Sequence, residues 1–349
     1  MNKAYASFSQ SKGLLWRNEF DGILSGDFKP PVGAVIDLTD KCQLFCRWCN
    51  GQGFRSANTL ETETVKKLIR NLAEWGVRSV CFAGGGEPSL HKDFAKLIEY
   101  SYINGLEVGI STNGISLTEK DLIAISDYTR FCGFSIDAGT QKTWQRVKNE
   151  RGPEEYWRRM LWNAEALNLI SKDKKIDTTF KFMLTPYNQH EIFKACKLAL
   201  ELGFKSFFVR PAAFENVPGL EADYKFDTEA IAKQESKCLE LETECFKVYG
   251  SFKRVDEKLK RIIPFDKCRA SPLMAVMCAD NYSYLCIDYR ERPYGKLCRN
   301  EELRKFWGTE AHKKVIYSIQ LERCPRCAMM HYNCQIESYK NDDFYMNFP

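Results

Sequence analysis

Hydrophobic and polar residues alternate with two different periods between residues 34 and 211. Short apolar runs bounded by polar and glycine residues indicate buried strands, and apolar residues at every third or fourth position indicate amphipathic helices. The pattern predicts strands at 34–38, 79–84, 107–111, 131–137, 178–184 and 206–211. Helices are predicted between them at 63–76, 93–105, 119–126, in a long stretch ending at residue 170, and at 192–203.

Six strands that alternate with helices favour an α/β fold with a parallel sheet and right-handed crossovers. An open partial barrel and a doubly wound sheet both fit this alternation, whereas a closed eight-unit barrel would need two further units. In either arrangement, the reactive groups are expected at the carboxyl ends of the strands.

The pattern changes after Pro211. Residues 212–226 are loop-like, and residues 227–262 are charged and predicted to be helical, with Cys238, Leu241 and Cys245 on one face. From Cys268 onward, cysteines are frequent and the strands are short. We therefore expect four segments: a polar lead-in (1–31), a core (32–212), a helical linker (213–265) and a cysteine-rich domain (266–349).

Composition narrows the possible functions of this 349-residue chain. Its formal net charge of +5 is too small to indicate a nucleic-acid partner, and no apolar run reaches the length of about 18 residues that a membrane span needs. The first residues lack the apolar core of a signal peptide, so a cytoplasmic location is expected. Since thiols stay reduced there, the 15 cysteines point to metal binding or redox chemistry rather than to disulfides.

Three cysteines lie within eight residues in "CQLFCRWC" (42–49), directly after the first predicted strand. Three thiolates can hold three irons of a [4Fe–4S] cluster, which leaves the fourth iron without a protein ligand. An open metal position is typical of sites that bind a small molecule. A structural zinc site is the alternative for the same residues.

Three further motifs follow at successive strand ends: "GGGEP" (84–88), "STNG" (111–114) and "FSIDAGTQKTWQRVK" (134–148). Together with the cysteine loop, they make residues 33–211 resemble the radical S-adenosylmethionine (SAM) enzymes. The resemblance implies a partial (β/α)6 TIM-type barrel and a [4Fe–4S] cluster on Cys42, Cys46 and Cys49. It also implies that the amino and carboxylate groups of SAM chelate the open iron.

The resemblance also implies roles for residues around SAM. Trp48 is expected near the adenine, and Gly85, Gly86 and Glu87 are expected at the amino group of methionine. Ribose and carboxylate contacts are expected from Ser111 and Asn113 at the end of strand 3, and Ser135, in the strand 4 segment, is expected to contact SAM. Relatives often carry arginine where Lys148 stands, and Arg210, at the end of the sixth strand, is the better-placed guanidinium.

The second group of cysteines resembles the auxiliary-cluster domains called Twitch and SPASM. Cys268 is followed by twelve residues, Asn281, four residues and Cys286, and a C-x2-C pair comes later. Only seven cysteines exist from residue 268 onward, one too few for two complete clusters. We therefore expect one auxiliary [4Fe–4S] cluster in a small α+β domain, with zinc as the alternative metal. The expected ligands are Cys268, Cys286, Cys324 and Cys327, with Cys334 as the substitute.

The resemblance implies an enzyme that reductively cleaves SAM to a 5′-deoxyadenosyl radical, which abstracts a substrate hydrogen. The auxiliary cluster could accept the remaining electron or bind the substrate directly, and Asp288 is the candidate base. Our first expectation is dehydrogenation of a small molecule such as a sugar or aminocyclitol. The short lead-in favours this, because peptide modifiers often carry a winged-helix leader-binding domain.

The alternative is a peptide- or protein-modifying maturase that forms a crosslink, epimerises a residue or oxidises Cys or Ser. A non-enzymatic iron–sulfur or zinc regulator would leave the strand-end motifs without a purpose. An external electron donor of the flavodoxin or ferredoxin type is expected, and no nucleic-acid or membrane partner.

Overall fold

The strand at Gly33–Asp37 has neighbours on both sides in a ten-stranded sheet. A computed structural model describes residues 10–49, 51, 56–148, 152–212, 225–250, 263–290, 295–324 and 327–340. The strands are β1 (Gly33–Asp37), β2 (Ser79–Ala83), β3 (Glu107–Thr112), β4 (Thr129–Ser135), β5 (Asp177–Leu184), β6 (Ser206–Pro211), β7 (Lys247–Gly250), β8 (Met274–Met277), β9 (Tyr282–Tyr284) and β10 (Lys296–Arg299).

The helices lie mainly between these strands. They are α1 (Arg17–Ser25), α2 (Thr62–Trp75), α3 (Phe94–Ile103), α4 (Glu119–Tyr128), α5 (Gln141–Lys148), α6 (Glu155–Ile170), α7 (Ile192–Glu201), α8 (Thr228–Glu240), α9 (Leu303–Phe306), α10 (Glu310–Tyr317) and α11 (Met330–Lys340). Among the helices that the structure describes, none is both long and apolar enough to cross a membrane.

The strand order decides between the two α/β arrangements. The order is β10-β9-β8-β1-β2-β3-β4-β5-β6-β7, and every pair from β8 to β7 is parallel, whereas β8, β9 and β10 pair antiparallel. A doubly wound sheet reverses its order at a switch point, but this order ascends without reversal from β1 to β7. Right-handed crossovers then place the helices on one face. The predicted partial-barrel α/β fold is confirmed.

The two faces of the sheet differ in chemistry, because successive side chains of a strand point to opposite faces. One face packs against the helices in the largest hydrophobic core, to which strand residues such as Ile36, Phe82 and Phe182 belong. The other is the concave inner face. It carries Asp37, Cys81, Ser111, Lys181 and Arg210, as the strand registers place them.

The lead-in, for which no element was predicted, contains α1. Two sequence predictions of secondary structure are corrected. The long helical stretch before residue 170 is two helices, α5 and α6. The segment predicted to be helical at 227–262 is helical only to Glu240, then forms β7 beside β6, and Cys245 is exposed. Residues 251–262 lie outside the described residues. The four proposed segment boundaries stay a prediction.

The turn before β7 explains why the helix predicted at 227–262 ends early. The backbone N–H of Thr243 donates to the carbonyl of Phe246 (3.0 Å), and the N–H of Phe246 donates to the Thr243 hydroxyl (3.0 Å). This turn directs Phe246 and Val248 into the core, where both are buried. Burial of these two side chains therefore outweighs the helical preference of a charged stretch.

Candidate active site and auxiliary cysteine site

The loop after β2 packs backbone to backbone against the loop after β1 that carries the three cysteines. The N–H of Gly86 donates to the carbonyl of Thr39 (3.0 Å), and the N–H of Glu87 donates to that of Lys41 (2.8 Å). A Cβ at residue 86 would lie 2.2 Å from the Lys41 oxygen. Gly86 is therefore needed for the close approach of the two loops.

Glu87 is buried and connects the loops after β2 and β3. Its Oε1 accepts hydrogen bonds from the hydroxyls of Thr112 (2.5 Å) and Ser89 (2.8 Å), and its Oε2 accepts one from the N–H of Asn113 (2.7 Å). Burial raises the pKa of Glu87, and these hydrogen bonds oppose the rise. Glu87 thus orders the strand ends, while its predicted contact with the methionine amino group stays a prediction.

Asn113 faces the cysteine loop. Its Nδ2 lies 3.9 Å from the Cys42 sulfur, and its Oδ1 accepts hydrogen bonds from the Gln43 side chain (3.2 Å) and from the N–H of Ile115 (3.0 Å). The end of β3 therefore holds one side of the loop in place and supplies an N–H group to a cluster-ligand candidate.

A buried ion pair lies on the other side of this loop. The Lys148 ammonium is 2.7 Å from Asp137 Oδ2, with only 3% and 4% of the two side chains exposed, and it also donates to the carbonyl of Ser135. Burial raises the pKa of the Cys46 thiol to about 12, although Lys148 opposes this. Burial also disfavours the charge of Lys148, but attraction to Asp137 and Cys46 raises its pKa overall.

Trp48 is buried in a small cluster with Val147, at the end of α5, and Ala212, after β6. Met183 and Tyr187 complete the surroundings of its ring. Trp48, which is predicted to lie near the adenine, is therefore held between the ends of α5, β5 and β6. Its contact with adenine stays a prediction.

Ser111, Ser135 and Arg210 lie on the inner face, near the ends of β3, β4 and β6. The Ser111 hydroxyl accepts a hydrogen bond from the Lys181 ammonium (2.7 Å), and Ser135 is the register partner of Lys181. Arg210 is the register partner of Met183 on β5. Gly85 lies beside the cysteine loop, since a Cβ at Gly51 would meet its carbonyl oxygen at 2.5 Å.

The second site is a cavity lined by residues before β8, directly after β9 and in the C-terminal segment. Four cysteines line it, together with Asp288 and Tyr289, and they are Cys268, Cys286, Cys324 and Cys327. The Tyr289 hydroxyl is 3.2 Å from the Cys324 sulfur, and the Asn333 Nδ2 donates to the Cys327 sulfur (3.5 Å). The structure thus brings the four expected ligands together, whereas Cys334 lies on α11 and does not line the cavity.

Burial raises the pKa of all four cavity thiols, that of Cys327 to about 12. A neighbouring cysteine raises the pKa further at Cys286, Cys324 and Cys327. Buried thiolates that repel one another need a compensating positive charge, which a bound metal or cluster provides. Asp288 is also buried here, where its carboxylate accepts a hydrogen bond from the N–H of Ala328 (3.1 Å).

A comparison with protein families agrees with this geometry. The model of the radical SAM superfamily matches residues 36–199, which include the cysteine loop, the Gly86 loop and the ends of β3 and β4. This chain contains a radical SAM domain. The fold is also that of Streptococcus suis SuiB, a SPASM-type radical SAM enzyme solved with its precursor peptide SuiA. That likeness has a TM-score of 0.69 at 16% identity and covers 94% of this chain and 77% of SuiB.

Sequence relatives of the radical SAM domain have different activities. An S-adenosylmethionine-dependent nucleotide dehydratase of Selenomonas ruminantium is 33% identical over 110 residues, 31% of this chain and 40% of that protein. A PqqA peptide cyclase of Bradyrhizobium diazoefficiens is 33% identical over 102 residues, 29% of this chain and 27% of the relative. The chain therefore spans less than half the length of these relatives.

Members of the radical SAM superfamily bind SAM and a [4Fe–4S] cluster, and the residues present fit such a group. Within the described residues, no three His, Cys, Asp or Glu side chains converge on the position of a single metal ion. The ligands of a cubane cluster do not need to converge in this way, because each thiolate binds a different iron.

Sequence reasoning missed a second ion pair, which joins the radical SAM domain to the auxiliary site. Arg290 Nε lies 2.5 Å from Oδ2 of Asp37, a fully buried carboxylate at the end of β1. The only signal for Asp37 and for Lys181 was a charged residue within an apolar strand, in "AVIDL" and "TTFKFML". Such a residue is costly to bury and therefore indicates a partner or a function.

Proposed function

We propose that this protein is a radical SAM enzyme in which Cys42, Cys46 and Cys49 hold a [4Fe–4S] cluster. The observation that carries the proposal is the packing of the cysteine loop between the Gly86 loop and the end of β3. When bound, the cluster and SAM supply one-electron reduction and a radical that abstracts a hydrogen atom from the substrate.

The chain's own residues prepare this site in three ways. Asn113 supplies an N–H group near the Cys42 sulfur, which favours the thiolate form. Lys148 places a positive charge beside Cys46 and is itself held by Asp137. Trp48, packed on Val147, offers an aromatic surface at the same edge of the sheet.

For the reaction class, we infer oxidation of a small molecule such as a sugar or aminocyclitol. An auxiliary [4Fe–4S] cluster on Cys268, Cys286, Cys324 and Cys327 would accept the second electron. The shared cavity and the mutual electrostatic influence of these thiols support that ligand set. The primary cluster would draw its electron from an external flavodoxin- or ferredoxin-type donor.

Modification of a peptide is the second candidate, and two comparisons favour it. One fold neighbour was solved with its precursor peptide, and one sequence relative is a peptide cyclase. In both candidates, Asp288 is a proton acceptor beside the auxiliary cysteines, supported by its burial within that cavity.

Iron analysis tests the proposal. Anaerobically reconstituted wild-type protein should hold about eight irons, as two [4Fe–4S] clusters require, and a Cys42/Cys46/Cys49→Ala variant about four. The exposed Cys245 offers a matched control, and Cys245→Ala should keep about eight. A wild-type protein that contains only zinc would refute the proposal.

An activity assay completes the test. Wild-type protein with dithionite and SAM should release 5′-deoxyadenosine, and the triple variant should not. Deuterium transfer from labelled sugars or from labelled peptides into 5′-deoxyadenosine then separates the two substrate candidates. Strictly anaerobic wild-type protein that releases none would contradict the proposed chemistry.

A further inference from the structure

Lys181 is a fixed cation on the inner face of the barrel. It stands three residues before the end of β5, and its Nζ donates to the Ser111 hydroxyl on β3 (2.7 Å). Its stem crosses the intervening strand β4 at Gly133, where an added Cβ would lie 2.5 Å from the Lys181 Cδ. The glycine therefore makes room for this side chain, and Ser111 orients its end.

The cations around the inner face differ in how their charge is balanced. Lys148 pairs with Asp137 at 2.7 Å, and Arg290 pairs with Asp37 at 2.5 Å. In contrast, no carboxylate of the described residues forms an ion pair with Lys181, whose hydrogen-bond partner Ser111 is neutral. Burial lowers the pKa of Lys181, and Cys81 and Asp137 act in the opposite direction. An ammonium at this depth is costly without a negative partner.

The two lysines also face different parts of the site. Lys148, at the end of α5, lowers the pKa of the Cys46 thiol and is thus associated with the cysteine loop. Lys181 acts on Cys81, in the middle of β2, and Cys81 is also influenced by Arg290 from the auxiliary side. The Ser111 hydroxyl that holds Lys181 lies on β3, the strand next to β2, so Lys181 reaches across the inner face of the sheet towards β2.

We propose that Lys181 anchors an anionic group of the substrate, a carboxylate or a phosphate, within the barrel. This inference rests on the proposed function and adds a chemical class to its substrate. A lysine ammonium is a compact point charge with three donors, of which Ser111 takes one. The anion would accept the remaining donors and supply the missing negative charge.

Anion binding to the SAM-saturated holoenzyme tests the proposal, with sodium acetate and sodium phosphate as probes in isothermal titration calorimetry. Wild-type protein should bind one of them at a single site, and the stronger probe identifies the substrate group as carboxylate or phosphate. Lys181→Met should weaken binding by about tenfold to a hundredfold, as loss of a charge-assisted hydrogen bond implies. Lys120→Met, an exposed lysine on α4, is the matched control and should bind as wild type does.

Gly133→Ala provides a second variant that retains the charge. Its methyl group displaces the Lys181 stem, so anion affinity should also fall. Equal affinity in wild type and Lys181→Met would overturn the proposal, as would wild-type protein that binds neither probe. Binding that appears only when SAM is omitted would assign Lys181 to SAM instead and overturn it too. Since calorimetry requires no turnover, a failure to cleave SAM would refute the proposed function separately.

Discussion

The Tyr289 hydroxyl lies 3.2 Å from the Cys324 sulfur. This one contact should change the reduction potential of the proposed auxiliary cluster and not that of the other cluster. A hydroxyl that donates to a ligand sulfur stabilises the more negative, reduced cluster and raises its potential. Tyr289→Phe removes this donor and leaves the ring. We expect the auxiliary potential to fall by about 40 mV, the one-electron equivalent of about 1 kcal/mol.

A redox titration followed by electron paramagnetic resonance measures both clusters in the same sample. The signal of the cluster on Cys42, Cys46 and Cys49 should keep its potential in Tyr289→Phe. A shift of that signal, or an unchanged auxiliary signal, would contradict the assignment of Cys324 as a cluster ligand beside Tyr289.

For single residues, the spacing of the cysteines predicted the candidate ligands but not the side chains that surround them. The C-x3-C-x2-C pattern is local, so the sequence alone pointed to Cys42, Cys46 and Cys49. The partner of Asp37 is 253 residues away in the sequence and depends on how distant segments pack. No short-range pattern contains that information.

Helix α10 carries His312, a buried side chain whose charge depends on pH. His312 is 1% exposed, lies 4.6 Å from the Trp307 ring, and accepts a hydrogen bond at Nδ1 from the N–H of Gly308 (3.1 Å). Burial lowers the pKa of His312 to about 4. The neutral form is therefore favoured in the folded state, and stability is lost as the pH falls from about 6.5 towards 4.

Urea unfolding at pH 7 and pH 5 should reveal this loss. Between these pH values, His312 should remove about 2 kcal/mol from the free energy of unfolding. His312→Gln should show a pH dependence that is smaller by this amount. The packing defect of the variant is present at both pH values and cancels in the comparison. The same pH dependence in both proteins would disprove the role of His312.

Elements were predictable where a pattern is long and regular. The six strands from β1 to β6 and the helices between them follow the hydrophobic period closely. Strand β7 has only four residues within a charged stretch, and burial of Val248 fixes it rather than an alternating pattern. Strands β8 to β10 are equally short, so tertiary packing decides their existence.

For the whole molecule, the Asp37–Arg290 ion pair joins the radical SAM domain to the segment with the auxiliary cysteines. Arg290→Met leaves a fully buried carboxylate without its cation, which should cost about 3 kcal/mol or more in unfolding free energy. The double variant Asp37→Leu/Arg290→Met removes both charges and should recover most of that loss.

The control is a surface pair of an arginine and a carboxylate residue. Arg130 and Glu107 lie 3.8 Å apart with more than half of each side chain exposed, so Arg130→Met should change stability by less than about 1 kcal/mol. Chemical denaturation of the four proteins measures these differences. A double variant as unstable as Arg290→Met would show that the buried charge is not the cause.

The sequence was sufficient to predict a parallel α/β fold and a cysteine-rich C-terminal segment, but not how the two are connected. The cysteine-rich segment enters the sheet through β8, which pairs with β1 from Gly33–Met274 to Ile36–Met277. Pairing between strands so distant in sequence has no local signature, since it depends on the closure of long loops.

The β1–β8 pairing also restricts how far the radical SAM domain and the auxiliary site can move relative to each other. A hinge between the radical SAM domain and the auxiliary site would have to break the hydrogen bonds of a parallel strand pair and separate Asp37 from Arg290. Opening by rotation of one part against the other would therefore cost considerable free energy. The distance between the cysteine loop and the auxiliary cavity is therefore expected to stay nearly constant.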